Sequence, residues 1–195
     1  MKAFSFVLIL ALLTVTSATA EKLGIGTPIS PQQLERLDTD VRGSDGAGLP
    51  PGFGTPTQGR EIFLSSCAMC HGTTGEGSEN APALKGGVGS LPTTDPLKTI
   101  GSFWPYASTI FDYVRRAMPA HAPRSLTNDE VYAITAYLLY INGIVPEDII
   151  ISQSNLPRVV MPNWDGFIPD DREKSERKFW KKSPCVRNCA PIASP

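Results

Sequence analysis

Five consecutive residues, Cys67-Ala68-Met69-Cys70-His71, hold the clearest chemistry in this 195-residue sequence. Two thiols at this spacing reach the two vinyl groups of a haem, and the imidazole that follows then lies beneath the iron. Attachment and proximal ligation become one geometric event. The motif does not recur, so the sequence predicts one covalent haem c, held by Cys67 and Cys70 with His71 as an axial ligand.

The second axial ligand must come from a short inventory. Besides His71 the chain has one histidine, His121, and its methionines are Met1, Met69, Met118 and Met161. Met1 falls in a removable leader and Met69 lies inside the attachment turn. Met118 precedes Pro119 on a short loop between two helical stretches, well placed to bring a thioether to the far haem face. A His/Met pair suits electron transfer at raised potential, whereas an open position suits gas binding or oxidation chemistry. The placement favours Met118; Met161, His121 and a vacant position stay open. Met161 has an alternative as a packing residue, and His121 as a solvated loop side chain.

These groups need elements to position them. Gly59 to Ser66 reads as a helix with Ile62 and Phe63 on its apolar side, running into the motif. A glycine-rich turn, Gly72 to Gly77, leads to Ala81-Pro82-Ala83-Leu84, where the Pro82 carbonyl is placed to accept the other ring N–H of His71. Ala107 to Ala117 carries Ile110, Phe111 and Val114 at helical spacing, with Arg115 and Arg116 in its last turn. Thr127 and Glu130 form a capping box before the stripe Val131, Ile134, Tyr137, Leu138 and Ile141, which Asn142-Gly143 ends. The fold expected is all-α.

The ends have a different composition. Lys2, the apolar run Phe4 to Val15 and Ala18-Thr19-Ala20 read as a signal peptide over 1–20, cleaved before Glu21. That run is shorter than the ~20 residues a spanning helix needs. The mature chain is expected in an oxidising compartment, most simply a periplasm, without a membrane span. Residues 21–56 and 146–195 are rich in Pro, Gly and polar residues, too poor in periodic apolar positions for a second core, and read as arms that wrap a partner. They flank a haem domain over 57–145. Residues 170–182 read as a solvated helix with one apolar contact at Phe179-Trp180. Cys185 and Cys189 lie one helical turn apart with no histidine following, which suits a structural disulfide in an exported protein. With 18 basic and 19 acidic residues the charge is near balance, and nothing points to nucleic acid.

Together these pieces resemble the class I cytochrome c fold, here with long irregular N- and C-terminal arms. In that family a small residue and an aromatic on the first helix meet an aromatic on the last, positions matched by Gly59, Phe63 and Tyr137. The resemblance implies Pro82 behind His71 and Met118 as distal ligand. Longer strings extend it: Asp40-Val41-Arg42, Gly48 to Gly52, Lys98 to Ala107, Asp112 to Pro119 and Ser125 to Tyr132 look like the SoxD-type cytochrome subunit of sulfane dehydrogenase, to which sulfite dehydrogenase cytochromes are related. Met161 to Phe167 fits too, although Trp164 stands where a basic residue is expected. A second haem domain found in some members is not expected here, because the attachment motif does not recur.

The resemblance implies a molybdenum-cofactor dehydrogenase subunit as partner, carrying out the sulfur chemistry. This chain would be its non-catalytic electron outlet, passing electrons to a downstream acceptor such as another cytochrome c or an oxidase. A freestanding carrier to a terminal oxidase, and a haem enzyme or sensor with an open distal site, are the competing readings.

Overall fold

The computed structural model describes residues 26–37 and 40–179. The expected signal peptide and the Cys185–Cys189 pair lie outside the described residues. Pro31–Leu37 forms a short helix, α1, in a compact unit of its own. Ser30 and Gln33 cap it reciprocally: the Gln33 N–H donates to Ser30 Oγ and the Ser30 N–H to Gln33 Oε1.

The second unit is built on three helices. α2 spans Pro56–Ser66, three residues longer at its start than the stretch read from Gly59. Thr55 and Gln58 close a capping box there, and Pro56 occupies the first turn, where its missing N–H costs nothing. A single helical turn, α3 (Ala68–His71), follows directly. α4 spans Ala107–Ala117 and α5 Asn128–Ile141, the latter capped by Thr127 and Glu130. Most of α5 is buried, from Val131 through Leu139, because neighbours cover it on nearly every side.

Backbone proximity sets the crossing of α2 on α5. A methyl group on Gly59 would sit 1.9 Å from the Ala133 carbonyl oxygen, so only hydrogen fits. One turn further along, Phe63 meets Tyr137 with ring centroids 5.2 Å apart. α4 closes the other side of α5, where Phe111 stacks on Tyr132 at 4.4 Å.

The flanking segments make no second core among the described residues; they peg single side chains into this one. Val41, Leu49, Ile151, Leu156 and Met161 are all buried in the same cluster as Phe63 and Phe111. Two short strands, β1 (Phe53–Gly54) and β2 (Ile151–Ser152), pair antiparallel and join the segments on either side. Polar side chains complete the attachment. Tyr132 Oη donates to the Pro50 carbonyl at 2.8 Å, Gln153 Nε2 to the Leu49 carbonyl at 2.7 Å, and the Val41 N–H to Asp112 Oδ1 at 3.2 Å. Asp112 also takes a forked pair of hydrogen bonds from Arg116 one turn on.

The C-terminal segment departs from its sequence reading. Among the described residues of 170–182 only Arg172–Ser175 is helical (α6) and Phe179 is exposed rather than packed, while Trp180 lies outside the described residues. No side-chain cap holds the helix start, and Arg172 pairs locally with Asp170, so four residues form one turn with no apolar face to extend it. Among the described residues no helix is long and apolar enough to cross a membrane.

Candidate functional site

Cys67 is the hinge of the site. It ends α2, donating its N–H to the Phe63 carbonyl at 2.9 Å, and it opens α3, accepting from the N–H groups of Cys70 and His71. One helical turn therefore fixes both thiols and the imidazole as a unit. Gly72, at φ 78°, then turns the chain away, a conformation that only glycine adopts without strain.

The returning chain locks that turn. Ser78 Oγ donates to the Cys70 carbonyl at 2.5 Å and the Gly77 N–H to the His71 carbonyl at 2.8 Å. His71 Nδ1 lies 3.1 Å from the Pro82 carbonyl oxygen. A carbonyl can only accept, so Nδ1 carries the proton and Nε2 keeps its lone pair for a metal. Cys67 and Cys70 form no disulfide with each other. Before any attachment, burial, with the neighbouring Cys70 adding to it, pushes the Cys67 thiol up to about 11.

Both cysteines, His71 and Pro82 face a cavity of about 580 Å³. Its walls are mostly apolar, with Ile100, Val114, Ile134 and Leu138 supplied by the core. Met118 joins the lining from the end of α4, where its N–H bonds to the Val114 carbonyl, and it is half-buried. His121 lines the cavity from the loop that follows and is exposed. Met161 is fully buried in the core and is not among the lining residues. Met69 is 81% exposed at the rim.

Sequence reasoning missed one supporting residue. Asn142 reads as a helix stop, yet its side chain donates to the Leu84 carbonyl at 3.1 Å and the Leu138 carbonyl at 2.8 Å, and accepts from the Gly86 N–H at 3.2 Å. It ties the loop beyond Pro82 to the end of α5. Trp104 and Tyr113 also line the cavity, edge to face at 5.9 Å; in the sequence they stood out only as parts of longer strings.

Two thiols one turn apart, an imidazole with a free Nε2, a thioether on the same cavity and apolar walls fit a haem, and they define a c-type cytochrome site. The Cytochrome c family model matches residues 56–142, and the chain belongs to the cytochrome c family. The domain therefore implies haem c, and its work is electron transfer.

The similarity runs well beyond that domain. A chain in the crystal structure of the sulfane dehydrogenase SoxCD from Paracoccus pantotrophus superposes with a TM-score of 0.74 at 45% identity, over 89% of this chain and 85% of that one. The cbb3-type cytochrome c oxidase subunit FixP of Azorhizobium caulinodans is 32% identical over 122 residues, 62% of this chain. This chain spans only 39% of FixP.

Proposed function

We propose that this chain is the monohaem electron-transfer subunit of a sulfur-compound dehydrogenase. It would receive electrons from a molybdenum-cofactor subunit that oxidises sulfur at the sulfane or sulfite level, and pass them to a downstream acceptor. The observation that carries the haem assignment is that Cys67, Cys70, His71 and Met118 all line one cavity.

Each part has a role. Cys67 and Cys70 would hold one haem through thioether bonds, each S–H adding across a vinyl group without net oxidation. His71 Nε2, its ring fixed by the Pro82 carbonyl, and Met118 Sδ would hold the haem iron. Bound haem supplies a one-electron iron couple. The apolar walls exclude water, and thioether ligation favours the reduced iron and so raises the potential.

Support for the dehydrogenase partner comes from the extent of the SoxCD similarity, which reaches past 56–142 into the flanking segments. Lys2, Phe4 to Val15 and Ala18-Thr19-Ala20 support export to a periplasm. Isolation of the native complex with metal analysis tests the partner. Molybdenum eluting with iron is the expected result, and a monomer carrying iron alone contradicts it. The FixP similarity favours a second reading, a carrier serving a terminal oxidase, and that monomer would support it.

A further inference from the structure

We infer that His121 is a reserve axial ligand, poised to replace Met118 on the iron when the thioether is lost. The inference rests on the reading of Met118 as the native distal ligand.

Met118 and His121 sit on one tight turn. The Ala122 N–H closes it on the Pro119 carbonyl at 2.9 Å, with His121 just inside the closure and Met118 immediately before it. All four residues from Met118 to His121 line the cavity. Two donor side chains are thus offered to one space by the same few residues.

The loop is free to exchange them. Among the described residues, the backbone hydrogen bonds of 119–126 run only within the loop, from Ala122 to Pro119 and from Ser125 to Ala122. Side-chain hydrogen bonds begin again only at Thr127. Leu126 packs against the core and Pro119 is buried, so the loop is held at its ends and not across its middle. A shift of the turn therefore breaks no hydrogen bond to the rest of the described residues.

Ligand chemistry sets the order. Imidazole is an established ligand for haem iron, and two axial imidazoles give a low-spin centre of lower potential than His/Met. Met118 holds the site at rest because it is half-buried at a helix end, whereas His121 is exposed and must move inward. His121 gives the centre a second low-spin state instead of an open iron.

The test uses the full-length holoprotein and its optical and electron paramagnetic resonance spectra. Met118→Leu keeps the apolar volume and removes the ligand; Met118→Ala serves as a second variant if folding suffers. Either is expected to lose the thioether band at about 700 nm, remain low-spin and show a lowered potential. Adding His121→Ala should then give a high-spin ferric form whose ferrous state binds carbon monoxide rapidly. A single variant that is already high-spin, and unchanged by the second substitution, overturns the inference while leaving Met118 as ligand. If Met118→Leu keeps the band, the reading of Met118 itself falls. If His121→Ala alone abolishes the low-spin state, His121 is the native ligand and both fall.

Discussion

From Cys67 to Gly86 the chain is stitched to itself and to α5. Cys70, His71 and Pro82 carbonyls all accept hydrogen bonds, and Asn142 clamps the Leu84 and Gly86 backbone from the far helix. From Pro119 to Leu126 the backbone bonds, among the described residues, only within two turns of its own. The two segments flank the same cavity and are built for different tolerances. The motif side needs both thiols and the imidazole in one arrangement for attachment. On our proposal the Met118 side has to present one donor atom, and a loop held at its ends suffices.

The largest disturbance strikes what both sides share. Gly59→Val places a branched side chain where even a methyl would meet the Ala133 carbonyl at 1.9 Å. The crossing of α2 on α5 must open, with a loss of about 3 kcal/mol or more in denaturant unfolding. Both halves of the site are expected to fail together, so a variant that unfolds normally would separate the site from this crossing.

Asn142→Ala bears on the motif side alone. It leaves the Leu84 carbonyl and the Gly86 N–H without their partner, at a cost of about 1–3 kcal/mol. Hydrogen exchange is expected to rise in 84–86 and stay unchanged in 119–126. Equal changes in both segments would erase the contrast between them.

The flanking segment offers a pH test. Burial raises the Tyr132 phenol from 10.0 to about 12, and its hydroxyl donates to the Pro50 carbonyl. A raised folded-state pKa means this contribution is complete below pH 10 and is lost as pH climbs through about 12. Tyr132→Phe should cost about 1 kcal/mol at neutral pH and make unfolding less sensitive to alkali in that window.

The smallest effect is expected in the loop. Arg124 adopts φ 65°, a left-handed conformation that suits glycine. Arg124→Gly should change stability by less than about 1 kcal/mol and leave the visible spectrum unaltered. A large loss of stability would show that the loop is held more firmly than its hydrogen bonds indicate.

How much was legible beforehand follows from the range over which each signal acts. The attachment motif lies within five residues, and the capping box at Thr127 and Glu130 within four, so neither needs distant information. The same logic applies to Thr55 and Gln58, which start α2 three residues before Gly59; that box lay in plain view at Thr55-Pro56-Thr57-Gln58. The Pro82 carbonyl near His71 Nδ1 was also expected, on a loop only eleven residues away. Asn142 was opaque because its two partners in the loop beyond Pro82 are 56 and 58 residues distant. Val41, Leu49, Ile151 and Leu156 were opaque for another reason. Each is a lone peg in a segment with at most two or three residues of regular structure, and periodicity cannot reveal a burial that does not repeat.

We propose a single haem for this cavity, held through Cys67 and Cys70 and ligated by His71 and Met118. The most direct measurement is the ferric spectrum of the purified full-length protein, taken with its haem-to-chain ratio. One haem per chain and a low-spin spectrum with the thioether band at about 700 nm are predicted. A high-spin spectrum, or a low-spin one without that band, would contradict the account.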